Sequence, residues 1–229
     1  MKCLLDITDK IYCINLDRRT DRWQSVIEEF TKIGLKDKVE RVSAVEASPG
    51  IKGCTFSHYN IIKQAKENKY KSILIFEDDV EFIRVDEFEA TISNALLQLQ
   101  NLGIDYDMFY LGGNVKGTQN KKVSNNLVEL NNVKTTHAYI VTEKMYDIIL
   151  NIFDSRGIHE SPSWDGGDPN RLNIDFRYAT DIAPHYNVYG VWPMLAKQAA
   201  GISDLDGNFH EYTVNTVSYL LLLILLFLL

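Results

Sequence analysis

"ILIFEDDVEF", residues 73–82, sets four apolar residues directly against three acids. Ile73, Leu74, Ile75 and Phe76 form a short uninterrupted apolar run, the pattern of a strand buried on both faces. Glu77, Asp78 and Asp79 follow without a spacer, and no Lys or Arg sits among them. A strand buried on both faces belongs to a sheet with helices on either side. In such sheets ligands bind beyond the carboxyl ends of the strands. The acids therefore stand where a cleft is expected.

The flanking chain supplies the rest of that architecture. "KIYCINL" (10–16) and "VERVSAV" (39–45) read as strands. Between them "TDRWQSVIEEFTKIG" (20–34) carries Trp23, Val26, Ile27, Phe30 and Ile33 on one helical face, with Thr20 as N-cap and Gly34 as stop. "TFSHYNIIKQAKENK" (55–69) reads as a helix with Ser57 and His58 in its first turn. After the acids, Asp86 opens a helix marked by Phe88, Ile92, Leu96, Leu99 and Leu102 and ended by Gly103. "DYDMFYLGG" (105–113) reads as a strand, and "NNLVELNNVKTTHAYIVT" (125–142) as two strands around an Asn131-Asn132 turn. "EKMYDIILNIF" (143–153) reads as a helix. Strands alternating with helices predict an α/β fold with a mostly parallel sheet covered on both faces and a late antiparallel hairpin. From 156 to 187 Gly, Pro, Asp and Asn are frequent and the periodicity is lost, which predicts a long loop facing substrate or solvent. A single domain over 1–212 is expected, followed by a hydrophobic tail, 213–229.

Composition narrows the function classes. The chain has 229 residues, a formal net charge of -7 and 24% charged residues. No basic stripe is present, so binding to nucleic-acid backbones is not expected. The cysteines, Cys3, Cys13 and Cys54, are odd in number and lack C-x-x-C spacing. Free thiols in a reducing compartment are the expectation, rather than a disulfide framework. Asp6, Asp9 and Lys10 interrupt any apolar core near the start, so no signal peptide is read there. The last residues, "VSYLLLLILLFLL" (217–229), would span roughly 20 Å as a helix, short of a bilayer core of about 30 Å. A buried helix, a short membrane tail and a partner-binding tail all fit it. The overall expectation is a cytoplasmic protein with membrane contact through this tail.

Three adjacent acids are either a solvated turn that caps the next helix or ligands for a divalent cation. Strand alternation sends Glu77 and Asp79 one way and Asp78 another, and two such carboxylates repel unless a cation lies between them. A metal that takes oxygen ligands, held by one or two carboxylates plus phosphates, meets that need. "YCINLDRRTDRW" places Asn15, Asp17, Arg18 and Arg19 at the end of the first strand, and "GCTFSHYNIIKQA" places Ser57 and His58 at a helix start suited to anions.

These segments, in this order, resemble glycosyltransferase family 25, which includes bacterial lipooligosaccharide galactosyltransferases and procollagen galactosyltransferases. The resemblance runs through "INLDRRTDRW", "GCTFSHYNIIKQAKENKYKSILIFEDDVEF", "YDMFYLGG", "THAYIVTEKMYDIIL", "NIDFRYA" and "YGVWPMLAKQAAGISD". It implies a GT-A-type sandwich that binds a UDP-sugar. It also implies a manganese or magnesium ion held by Glu77 and Asp79, with His210 as a candidate third ligand and Asp78 beside the donor. Asn15, Leu16, Arg18, Arg19, Ser57 and His58 fall on donor-binding positions. The family is regarded as inverting, so a base must take the acceptor proton. Asp175 matches an acidic position in the late motif, with Asp165 and Asp168 as alternatives. Each of the three is equally readable as a loop aspartate bonded to its own backbone, and Trp164 and Trp192 as sugar platforms or as packing. The implied partners are a nucleotide-sugar donor and a glycan or protein acceptor. The loop "HESPSWDGGDPNRL" (159–172) and the leucine tail depart from the family pattern. A non-catalytic sugar-nucleotide-binding relative is the main alternative. A nucleotidyltransferase would need a glycine-rich phosphate loop after the first strand, and "NLDRRTDRW" has no glycine.

Overall fold

The computed structural model of the chain describes residues 4–115, 119–159, 170–205 and 209–210. Its centre is a ten-stranded sheet. Along the chain run β1 (Lys10–Asn15), α1 (Thr20–Lys32), β2 (Val39–Ser43), α2 (Gly50–Glu67), β3 (Ser72–Glu77), β4 (Val80–Phe82) and α3 (Phe88–Asn101). Then come β5 (Met108–Val115), β6 (Lys121–Lys122), β7 (Leu127–Glu129), β8 (Val133–Thr142), α4 (Glu143–Asp154), α5 (Ile174–Arg177), β9 (Val188–Val191) and β10 (Ala196–Gln198). A small ribbon, β11 (Gly201–Ile202) with β12 (Phe209–His210), ends the described chain.

The sheet order is β2-β1-β3-β8-β5-β9-β7-β6, with β10 beside β5 and β4. β1 pairs in parallel with both β2 and β3, and β5 in parallel with β9 and β10. β8 is wedged antiparallel between β3 and β5. Only β4, β7 and β8 oppose the common direction, so the mixed α/β sandwich is mostly parallel, as the alternation predicted. Ile73 to Phe76 are fully buried. Their neighbours on β1, Ile11 to Ile14, are buried too, which is why both segments are continuously apolar.

The two faces are covered by different helices. On one, Phe30 of α1 meets Phe76 and Phe82 at ring-centroid distances of 5.2 and 6.0 Å, and Phe82 meets Phe88 of α3 at 5.4 Å. On the other, α2 packs on α4 and on Tyr139 of β8. α1 stops where Gly34 takes a φ of +71°, a conformation a side chain at that position would strain.

Four expectations change. Thr20 is the first residue of α1 rather than its cap, with Arg19 at the N-cap position and no side-chain cap bond. The strands around Asn131-Asn132 do not pair with each other. The antiparallel hairpin is instead β6–β7, and β7 continues onto β9. The turn is a corner in which the Asn120 side chain accepts the N–H groups of Asn131 and Asn132, freeing β8 for the sheet centre. α2 starts at Gly50, so Ser57 and His58 lie two turns inside the helix rather than in its first turn. Residues 172–182, expected in a loop, contain α5 and a further wide turn that bury Leu172, Ile174, Tyr178 and Ile182. Residues 160–169, among them Trp164, Asp165 and Asp168, and the tail 213–229 lie outside the described residues. Among those described, no helix is long and apolar enough to cross a membrane.

Candidate active site

β1 and β3 end side by side, Ile14 opposite Glu77. Their carboxyl ends open into a pocket walled by all three acids, Leu16, Arg18 and Arg22, together with α2 and the segment after β10. The strand stops at Glu77 and turns through Asp78 and Asp79, so alternation does not carry past it. Each acid consequently has its own set of partners. Glu77 Oε1 meets His58 Nε2 at 3.2 Å and accepts from Thr136 at 2.7 Å. Asp78 accepts from Asn15 at 2.6 Å and from Arg22 at 3.0 Å. Asp79 takes Gln198 of β10 at 3.2 Å, while its other oxygen, Oδ1, is buried with no partner.

Asn15 ties β1 to this turn. Its amide donates to Asp78 and to the Arg19 carbonyl, and its oxygen accepts two bonds from Arg41 at 2.9 and 2.6 Å. The side chain is 1% exposed and all its hydrogen-bonding capacity is in use, so it shapes the pocket rather than presenting an open donor. Arg18, Arg19 and Arg22 converge on Asp204. Arg18 reaches it at 2.7 Å and Arg22 at 3.7 Å, and Arg19 is bonded to the same carboxylate. Arg22 also holds the Ile202 carbonyl at 2.7 Å. Arg18 and Arg22 thus line one edge of an acidic pocket, with Arg19 behind them on the same carboxylate, each already paired within the chain.

Ser57 is closed in a local circuit, accepting from the Val45 N–H at 2.8 Å and donating to the Gly53 carbonyl at 2.7 Å. A Cβ on Gly53 would stand 2.3 Å from the Val45 carbonyl oxygen, so glycine lets α2 approach the strand-to-helix connection this closely. With the helix start seven residues away, the anion-binding rationale for Ser57 and His58 does not hold. His58 is completely buried and lies between Tyr139, at 2.9 Å from Nδ1, and Glu77. Tyr139 continues to Tyr178 at 3.5 Å.

Asp175 is brought to the acids by a bulge. Between the pairs Gly112–Ala138 and Asn114–Lys134, the residues Thr135, Thr136 and His137 of β8 face the single residue Gly113. Thr135 has a φ of +72°, an outlying conformation for a β-branched residue. The bulge turns the Thr136 hydroxyl to a point 2.7 Å from Glu77 and 3.0 Å from Asp175. Thr136, Arg22, Gln198 and Asp204 were not singled out from the sequence. All four lie in segments quoted for the family resemblance, where nothing local set them apart.

Electrostatics divide the carboxyls. Burial raises Glu77, but the bonds from His58 and Thr136 and the nearby His137 hold it below its ordinary value. Asp79 is pushed up to about 8, first by burial and then by Glu77 and Asp78. Asp78 is raised by burial, with Asn15 and Arg22 opposing. Burial and the Glu77 charge push Asp175 up to about 6.

These residues fit a hard divalent cation. Asp79 keeps an unpartnered buried oxygen, and both bonds to Glu77 fall on Oε1, leaving Oε2 outside them. Two carboxylates completed by phosphate oxygens are an ordinary set for manganese or magnesium. Cys54, His58 and Glu77 also place donor atoms within 4.8 Å of one another. Both ring nitrogens of His58 are engaged, and a thiol is a poor match for a hard ion. His210 has its backbone in β12, and its side chain lies outside the described residues. Trp192 does not wall the pocket.

A family model described as glycosyltransferase family 25 (LPS biosynthesis protein) matches residues 36–158. Procollagen galactosyltransferase 1 of Danio rerio is 28% identical over 130 residues, 45% of this chain and 21% of that protein. A Bos taurus protein named probable inactive glycosyltransferase 25 family member 3 is 25% identical over 130 residues, 45% of this chain and 22% of that one. The match thus spans about a fifth of each curated relative. Among solved structures, a glycosyltransferase involved in glycosylation of the major capsid of PBCV-1 aligns with a TM-score of 0.45 and 17% identity, covering 78% of this chain and 80% of that one.

Proposed function

The chain belongs to glycosyltransferase family 25, and we propose that it moves a hexose, galactose or glucose, from a UDP-sugar to a hydroxyl of a glycan or protein acceptor. The observation that carries this reading is the buried, unpartnered Asp79 oxygen beside Glu77, at the carboxyl ends of adjacent parallel strands. A carboxylate left in that state is costly unless a cation completes it. Glu77 and Asp79 would hold manganese or magnesium, which when bound supplies positive charge against the charge developing on the departing diphosphate.

The chain's own groups have distinct parts in the transfer. Arg18, Arg19 and Arg22 favour an anionic donor at the pocket edge, exchanging Asp204 for phosphate oxygens. Asn15 and Arg22 hold Asp78 in place and keep the turn rigid. Asp175 is the candidate base. With its carboxyl pushed up to about 6, it is mostly ionised at neutral pH yet still a useful proton acceptor. One base and a single displacement correspond to inversion at the sugar carbon.

A second reading, a non-catalytic sugar-nucleotide binder, draws support from the bovine relative named as probably inactive. One experiment separates the two. Purified chain is incubated with manganese and a panel of nucleotide-sugars, and released nucleoside diphosphate is measured. The transferase reading expects release from one UDP-sugar, abolished by EDTA and by Asp79→Ala. Saturable UDP binding without release supports the binder, and failure to bind UDP overturns both.

A further inference from the structure

We propose that Thr136 is a positioning residue that sets the base against the cation carboxylate, through a hydroxyl bridging Asp175 and Glu77. The proposal rests on the reading of Glu77 as cation ligand and Asp175 as base, and assigns a role to a residue outside the pocket lining.

The geometry behind it is specific. α5 and β3 have no ladder in common, and the Thr136 hydroxyl lies 3.0 Å from Asp175 and 2.7 Å from Glu77. Threonine offers one O–H donor and two acceptor sites, so the hydroxyl donates to one carboxylate at a time and accepts from the other only when that carboxyl carries the proton, and this single oxygen defines how far apart the two groups stand. The residue is 2% exposed, which shields the bridge from exchange with water. It owes its direction to the bulge, where three residues of β8 oppose Gly113 and Thr135 takes a positive φ. Bulges of this kind re-aim side chains next to functional sites, and strained backbone persists where its surroundings hold it in place. Glu77 is braced from the other side by His58, itself held by Tyr139. Removing Thr136 therefore frees one side of Glu77 and leaves Asp175 without its side-chain link to the acids.

The test compares the full chain with Thr136→Val, which keeps the shape and loses the hydroxyl, and with Thr136→Ser, which keeps the hydroxyl. Manganese affinity is measured by titration calorimetry, and turnover by UDP release from UDP-galactose or whichever donor the panel identifies. Outer-sphere partners of this kind alter metal affinity or activity by about 10- to 100-fold. Thr136→Val is expected to weaken manganese binding and lower kcat by that order, with donor KM within about threefold, while Thr136→Ser retains both. Unchanged manganese affinity and kcat in Thr136→Val overturns the proposal. So does a Thr136→Ser variant as impaired as Thr136→Val, since a packing role would not be rescued by the hydroxyl. If wild type binds manganese without turnover, catalysis is the reading that fails, and the affinity comparison still decides the role of Thr136. If wild type does not bind manganese, both fall.

Discussion

Asn15 uses both ends of its amide to join residues far apart in sequence: Asp78, Arg41 and the Arg19 carbonyl. The sequence marked it as a donor-binding position because it closes the first strand next to an arginine pair. In the structure every polar atom of its side chain is already matched inside the protein. Asn15→Ala takes a donor from the largely buried Asp78, which keeps Arg22, and an acceptor from Arg41, which keeps Asp17. Leaving buried polar partners unmatched costs about 1–3 kcal/mol, and more when they are charged. The variant is expected to lose about 2 kcal/mol or more in urea denaturation, with an unchanged slope. A loss under about 0.5 kcal/mol would show that the pocket does not depend on this hub. Glu77 and Asp79 were legible because three acids at the mouth of an apolar strand need a physical explanation. Thr136 and Gln198 were not, since neither is distinguished from the polar residues beside it and their partners lie 59 and 119 residues away.

At the scale of elements, apolar patterning located β1, β3, α1, α3 and α4, whose faces are set by local periodicity. It misplaced the start of α2. Gly50 and Gly53 are weak helix formers, yet they are what allows the first turns to press against neighbouring backbone. A helix start defined by close tertiary approach leaves no trace in hydrophobic spacing. Gly53→Ala tests that account, because its Cβ would meet the Val45 carbonyl at 2.3 Å and a backbone oxygen cannot swing aside. Overpacking of this kind costs about 1–3 kcal/mol, against the roughly 1 kcal/mol that alanine normally gains over glycine in a helix. A net destabilisation is expected in thermal melts, accompanied by weaker UDP binding, because Val45 and Ser57 form part of the pocket wall. A stabilised variant would mean that α2 does not need this approach. The β8 bulge was equally hidden, since "KTTHAY" gives no hint of which residue is extra.

The whole sheet gathers carboxyls at one end, and that arrangement makes stability depend on pH and on cations together. Asp79, pushed up to about 8 from an ordinary value of 3.8, binds its proton more tightly in the fold than in the unfolded chain. Its contribution is therefore complete below about pH 4 and is lost progressively as pH rises towards 8. Asp175, raised to about 6, acts in the same direction over the lower part of that range. Glu77, held below its ordinary value, acts oppositely and loses its contribution only on acidification. Between pH 5 and 8 the raised groups set the sign, so the melting temperature of cation-free protein should fall across that window. On the proposed reading, manganese would bind the ionised carboxylates and stabilise whichever state holds it. The rise in melting temperature on adding manganese should therefore be small at pH 5 and largest near pH 8. Asp79→Asn removes both the repulsion and the ligand, so it should flatten the cation-free curve and abolish most of the manganese response. Melts at three pH values, with and without manganese, check all of this. A manganese response that is independent of pH, or that survives Asp79→Asn intact, would place the cation elsewhere and leave the acids as a strained turn.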